Sequence, residues 1–499
     1  MENKLAYSVA LALGVATASS HAVVLNPRGT GQLLIYPYYT VNHQQTLLSV
    51  VNTTEHGKAL RVRFREGYDG REVAGFNVYL GPFDSWVGAV YDTSADGSGA
   101  AAIATNDHSC TVPAFAAPFG EGGPRALTFS NANYSQGVYG TPTGTDHGPT
   151  GLARTREGFF EIIEMGEVNN AEMGTLTAIT PVNGTPPGCA QVQAAWQGAG
   201  YWSADATTDL LPPAGGLFGS AGIVDVAQGT LYAYDATAIE GFSDVAQHTA
   251  PGDPKPNLST AVTDSAHDIA TAWVPSGNAM VKADYPATTR GIDAVSAVLM
   301  SESMHAEFNV EPELGASTDW LLAFPTKQFY VDPALIPPSG DPLKPFESSF
   351  DGDACVTVEP EFVDREGFEQ ADSFTCGLPP TTVNGNYLCY ETQVAPIGPL
   401  GTTSRALASH VLTPLFPGGH CFAEDLTIQS GNVKMRFFDG LRPSLQGMEL
   451  LGLPAIGFAA TNYINANVTA GVLSNYSAAY PSQSTAGCVN STSANQVCE

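Results

Sequence analysis

Leu33–Val90 reads LLIYPYYTVNHQQTLLSVVNTTEHGKALRVRFREGYDGREVAGFNVYLGPFDSWVGAV. Within it, Leu60, Val62 and Phe64 alternate with Arg61, Arg63 and Arg65. Successive side chains of a strand point to opposite faces, so the apolar set is expected to pack inward and the arginines to face water. Asn52-Thr53-Thr54-Glu55-His56-Gly57 and Tyr68-Asp69-Gly70 supply turn chemistry between apolar runs. Short strands at this spacing predict a mainly β chain: an antiparallel β-sandwich, immunoglobulin-like or related, with long loops and one or two short helices. On that reading Phe64→Ala is costly and truncating an arginine costs less than about 1 kcal/mol.

Outward from this stretch, the chain of 499 residues is long enough for one large core or two to three ordinary ones. It carries 20 Lys and Arg against 49 Asp and Glu, a formal net charge of -29. Binding to nucleic acid or to an anionic membrane is driven by clustered cations, so neither is expected as a partner. Residues 1–22 have the form of a secretory signal peptide: Lys4, an apolar run from Leu5 to Ala16, and small residues Ser20 and Ala22 flanking His21 before the cut. No later segment reads as a membrane-spanning helix, since Glu449, Pro454 and three glycines interrupt the most apolar one, Leu445–Ile464. Eight cysteines follow the signal, at Cys110, Cys189, Cys355, Cys376, Cys389, Cys421, Cys488 and Cys498. An even count after a signal peptide points to disulfides, and the absence of CxxC spacing removes support for zinc, c-type haem and thioredoxin chemistry. Short separations favour Cys376 with Cys389 and Cys488 with Cys498, leaving Cys110 with Cys189 and Cys355 with Cys421.

The Pro-, Gly- and Ser-rich stretch Asp332–Phe350 suggests a boundary. The expected organisation is a β-sandwich region over 23–335 and a disulfide-rich, less regular β region over 336–499, packed on the first. Gly158–Val168 and Met173–Val182 read as strands, and Gly215–Ala236 as a hairpin turning at Gln228-Gly229. Val245–Thr260 reads as a polar loop, Ile292–Ser303 as the best helix with Asp293 in its first turn, Thr403–Val411 as a second helix, and Val433–Phe438 as a strand.

Candidate chemistry is sparse. There is no HExxH, P-loop or dinucleotide fingerprint, and Phe218-Gly219-Ser220-Ala221-Gly222 only approaches a nucleophile elbow. Glu161, Glu164 and Glu167 suggest a glycosidase carboxylate pair, but Glu161 and Glu164 fall on opposite faces of a regular strand and would need a bulge to meet. Asp92, Ser94, Asp96 and Gly97 match the front of a calcium loop, while Ile103 stands where its bidentate Glu belongs; the plainer alternative is an Asp-Gly hairpin turn. Arg61, Arg63 and Arg65, with Lys58 and Arg71, are five of the 20 cations. They point to an anionic partner or a subunit contact, or else to ion pairs with a neighbouring strand.

Several strings occur together: NPRGTGQLLIYPYYTVN from Asn26, TLLSVVNTT from Thr46, FNVYLGPFDSWVGAV from Phe76, TREGFFEIIEMG from Thr155, TDWLLAFPTKQFYVD from Thr318 and GLPAIGFAATNYINANVT from Gly452. The combination resembles a group of secreted proteobacterial proteins labelled only as cell-surface proteins. The resemblance implies an exported, envelope-associated product and brings no catalytic residues. The expectation is therefore a secreted structural protein of the cell surface or extracellular matrix without catalytic activity, assembling with itself or with other envelope components. The periplasm is the other compartment that fits. The alternatives are a glycan-binding module, with polysaccharide as ligand and calcium as its one candidate cofactor, and a secreted hydrolase whose site is built from distant loops.

Overall fold

The structure is a computed structural model that describes residues 21–490, other than 95, 121, 277–278, 337–342, 370–385, 399–401, 412–427, 466–470 and 473. Of the segment 1–22 expected as a signal peptide, residues 1–20 lie outside the described residues. From Val23 the chain is built into the fold: Val23 is fully buried and exchanges backbone hydrogen bonds with Thr271 and Trp273.

The chain is mainly β, and among the described residues every strand-to-strand ladder is antiparallel. An eight-stranded sheet has the central order Leu33–Thr40, Glu157–Val168, Gly57–Glu66, Glu72–Leu80. Facing it is a six-stranded sheet ordered Thr230–Asp235, Leu217–Asp225, Gln45–Asn52, Ser85–Asp92, Ala101–Thr105, Arg125–Thr128. The expected inward set does pack between them: Leu60, Val62 and Phe64 share a core with Tyr36, Phe160, Leu48, Val50 and Trp86. The rings of Tyr36 and Phe160 stack at 4.1 Å, and those of Phe64 and Phe160 at 4.8 Å. Gly219 makes room for the Tyr36 hydroxyl, which donates to the Ser49 carbonyl; a Cβ at that glycine would collide with it.

The arginines do not face water. Arg61, Arg63 and Arg65 are 1%, 3% and 5% exposed. The outer face of the eight-stranded sheet is covered as well, so its strands are buried on both sides. Leu33, Ile35, Phe159 and Ile163 on that face join a second core with Val295 and Val298 of the helix Ala287–Leu299 and with Trp320 and Leu322. Over the arginines themselves lies the loop expected at Val245–Thr260. Arg61 donates to the Ala250 and Asp253 carbonyls, and Arg63 donates to that of Asp253.

A second pair of sheets supplies much of this cover. One is ordered Thr392–Ile397, Ala316–Ala323, Ile456–Tyr463, Tyr476–Pro481. The other is ordered Asn386–Leu388, Val356–Asp364, Ser430–Phe437, Ser303–Asn309, Gln483–Thr485. Both sheets mix strands from before and after residue 336, so strand pairing does not follow the division expected at 335/336. A Pro- and Gly-rich segment marks a loop, and here the chain returns from it into the same sheets.

Several local expectations change for identifiable reasons. Met173–Val182 contains a short helix, Thr175–Ile179, instead of a strand. The Asp209 carboxylate accepts the backbone N–H groups of Glu172, Met173 and Thr175 and so satisfies its first turn from a distance. Thr403–Val411 is not helical. Asp319 accepts the N–H groups of Ala406 and Leu407, and Glu157 accepts those of His410 and Val411, so buried carboxylates hold these groups in an irregular loop. The main helix begins at Ala287, ahead of the expected start, and ends at Leu299. Asp293 is fully buried inside it, ion-paired with Arg290 and Arg442 and accepting from the Tyr330 hydroxyl. The hairpin of Leu217–Asp225 with Thr230–Asp235 and the strand Ser430–Phe437 stand where the sequence places them.

Cys110 pairs with Cys189 as expected, but Cys355 pairs with Cys389, which displaces both expected pairings of those residues. The Val356–Leu388 strand pairing, immediately beside both cysteines, brings them together. Cys488 is also disulfide-bonded. Cys376, Cys421 and Cys498 lie outside the described residues.

Two-sided burial changes the expected mutational pattern. Phe64→Ala should cost about 3–5 kcal/mol by leaving a cavity. Arg65→Ala should cost a comparable 3–5 kcal/mol or so, because it removes both hydrogen bonds to the fully buried Glu161 carboxylate and leaves it only Arg63, 4.0 Å away. Chemical denaturation of the two variants checks this; a near-neutral Arg65→Ala contradicts the buried pairing.

Candidate functional site

The arginines of the Gly57–Glu66 strand find their partners inside the protein, carboxylates for Arg63 and Arg65 and neutral acceptors for Arg61. Arg65 donates from Nε and Nη2 to Glu161 Oε1 at 3.2 and 3.0 Å. Arg63 pairs with Glu72, and Arg61 donates to the Asn77 amide oxygen at 2.8 Å. Burial and the neighbouring Arg63 push Arg61 down to about 10. The alternative of ion pairs with a neighbouring strand therefore describes Arg63 and Arg65, while burial removes all three arginines from the set of surfaces that an outside anion can meet. The turn beyond the strand continues the pattern. Arg154 holds Glu66 through two hydrogen bonds of 2.7 and 2.8 Å and also pairs with Asp146, and Arg71 reaches Asp332 at 2.8 Å.

The glutamates of Glu157–Val168 also turn out to be structural partners. Glu161 and Glu164 do fall on opposite faces, one on Arg65 and the other on Lys58. A register shift between Glu164 and Gly166 then brings Glu164 and Glu167 to one side, where the Lys58 ammonium lies 2.8 and 2.9 Å from their oxygens. Glu164 also accepts the N–H groups of Ala214 and Gly215. Burial raises its carboxyl to about 7, against the opposing pull of Lys58. An ammonium between two carboxylates, sealed from solvent, leaves no room for a glycosidic bond.

Asp92, Ser94 and Asp96 sit where the hairpin alternative puts them. Asp92 Oδ1 accepts the Ser94 N–H and hydroxyl, and its Oδ2 is 2.8 Å from Arg156. Asp96 Oδ1 accepts the N–H and hydroxyl of Ser98. The two carboxylates thus serve successive turns of one loop. Among the described residues no group of three or more His, Cys, Asp or Glu is arranged to hold a metal ion. Ser220 of the elbow-like string lies within a strand, directly opposite Ser49.

What remains open is a surface that the strand patterns only hint at: the outward face of the six-stranded sheet. Leu48 and Val50 point into the sandwich, so Leu47, Ser49 and Val51 point out. Leu47, Val87 and Leu231 are 46%, 49% and 50% exposed and rim a groove of about 600 Å³. Ser49, Ala89, Ala104, Ser220 and Gly222 lie along it. Among the described residues no Asp, Glu, Lys or Arg lines the groove. Consecutive apolar pairs, Leu47-Leu48 and Val50-Val51, are the sequence signal of a strand apolar on both faces. No protein-family model, curated protein or solved structure matches the chain.

Two outcomes follow for the charged residues. Asp92→Ala should lower the melting temperature through loss of the Arg156 pair, equally with millimolar calcium or with chelator; a calcium-dependent melting temperature in the wild type would restore the metal reading. Glu164 has a folded pKa above its unfolded one, so its contribution to stability is fully present below about pH 4.5 and is lost as pH rises to about 7. Glu164→Gln should remove that slope from a stability–pH curve; an unchanged curve contradicts the assignment.

Proposed function

We propose that this chain is a secreted structural protein of the cell surface whose copies pair through the outward face of the six-stranded sheet. The observation that carries the reading is that groove: exposed leucine and valine side chains over small residues, free of charge, on a chain of net charge -29. Two such chains repel wherever carboxylates meet. A charge-free apolar patch is where a second copy can approach with the least electrostatic cost and the most apolar surface to bury. A face meeting its own equivalent is an isologous contact, the commonest route to a dimer.

Three further points support export and the envelope. They are the signal-like segment before Val23, the disulfides, and the resemblance of the TLLSVVNTT and TDWLLAFPTKQFYVD strings to secreted cell-surface proteins. Among the described residues no helix is long and apolar enough to cross a membrane. The contact proposed here is not the electrostatic one that the arginine strip suggests in the sequence, because that strip is interior. Its salt dependence is therefore reversed: screening relieves repulsion between the acidic bodies and leaves the apolar contact in place.

Light scattering of the purified protein should show a dimer that strengthens from low to high salt. Leu47→Asp combined with Val87→Asp should give a monomer with an unchanged melting curve, because both side chains are on the outside. A wild type that stays monomeric at every salt concentration, or a double variant that still pairs, overturns the proposal.

A further inference from the structure

At the open end of the second pair of sheets lies a cleft of about 400 Å³. Tyr463, Tyr480 and Thr461 line it from the four-stranded sheet, and Glu307, Asn432 and Asp364 from the five-stranded sheet. It shares no residue with the groove proposed for pairing. In the ladder of Ile456–Tyr463 with Tyr476–Pro481, Tyr463 opposes Tyr476 and Ala459 opposes Tyr480. Alternation therefore puts Tyr463 and Tyr480 on one face of the sheet with Thr461 between. Tyr480 is 42% exposed. Across the cleft Glu307 and Asn432 are directly paired in their ladder. Neither side chain has a hydrogen-bond partner among the described residues, whereas Asp364 is engaged in holding its own turn through the N–H groups of Glu366 and Phe368.

We propose that this cleft binds a neutral oligosaccharide. A pyranose ring offers an apolar C–H face and an equatorial rim of hydroxyl groups that both donate and accept. The cleft offers the complement: tyrosine rings with an apolar body and a polar tip on one wall, and a free carboxylate beside a free amide on the other. Glu307 accepts from sugar hydroxyls, and Asn432 both accepts and donates. Its volume is within the range of about 300–1,000 Å³ usual for small-ligand sites. Charge sets the class within the saccharides. Glu307 and Asp364 make the walls acidic, and Arg365, the one cation lining the cleft among the described residues, is already paired with Glu311 at 3.1 Å. A uronate or sulfated sugar would meet repulsion, and a neutral hexose or N-acetylhexosamine would not.

The test is calorimetric titration of the full chain with cello-, malto- and chito-oligosaccharides, and with oligogalacturonate as the anionic control. At least one neutral series should bind, with an affinity insensitive to salt. Tyr480→Ala should weaken it at least about tenfold with no change in melting temperature, since the ring is partly outside. Asn432→Ala should weaken it as well, and Leu47→Asp should not. The proposal is overturned if no neutral series binds at millimolar concentration, if oligogalacturonate binds in their place, or if binding survives Tyr480→Ala unchanged. Loss of pairing in the variant combining Leu47→Asp with Val87→Asp leaves this outcome unaffected, so the two readings fail separately.

Discussion

Neutralisation of charge inside a sheet covered on both faces is the constraint from which the rest of the structure follows. The eight-stranded sheet has an apolar face toward the six-stranded sheet and a mixed face toward the helix and the second pair of sheets. Burying Arg61, Arg63 and Arg65 on that mixed face is tolerable only with partners in place, because an isolated interior ion costs several kcal/mol or more. Glu161 and Glu72 supply charge, and the Asn77 amide oxygen and the carbonyls of Gly70, Ala250 and Asp253 supply neutral acceptors. The loop over this face is therefore fixed by hydrogen bonds from the sheet beneath it. The same arrangement recurs at the end of the strand, where Arg154 and Arg71 tie Glu66, Asp146 and Asp332 together. Contacts between residues this far apart in sequence weld the first sandwich to the elements that follow it.

Strand alternation made the sandwich legible, and the same alternation concealed which faces are wet. Leu-Arg-Val-Arg-Phe-Arg is the pattern of a half-exposed strand, and it is equally the pattern of a strand with one greasy and one ion-paired face. What distinguishes the two cases is the partner strand. Glu72 follows the arginines closely, and Glu161 recurs in an otherwise apolar run, so the complementary charges were visible but their pairing was not. The errors at Thr175–Ile179 and Thr403–Val411 share this cause. Asp209, Asp319 and Glu157 decide those segments from remote positions through backbone N–H groups. A local reading of propensity has no access to them. The cleft proposed for a saccharide was hidden for a related reason: Glu307 and Asn432 come from strands far apart in sequence, they face Tyr463 and Tyr480 from a different sheet, and no two of the four lie within a common motif.

Interior pairing also shapes the exterior. Among the described residues eight Lys and Arg are buried, of 20 in the chain, against 12 Asp and Glu, of 49 in the chain. The core thus withdraws a larger share of the cations than of the carboxylates, and the surface is more one-sided in charge than the composition alone indicates. A surface of this kind disfavours attraction to nucleic acid and to anionic lipid, and it disfavours contact between copies except where charge is missing. Leu47, Val87 and Leu231 mark such a place, on the sheet face turned away from the ion-paired interior. Arg61, Arg63 and Arg65, the cations that the sequence offers for an electrostatic assembly contact, are committed to folding, so the pairing proposed above draws on apolar burial. The sequence feature that first suggests a sticky basic strip is, in the folded chain, interior, which is why the pairing proposed above is assigned to an uncharged face.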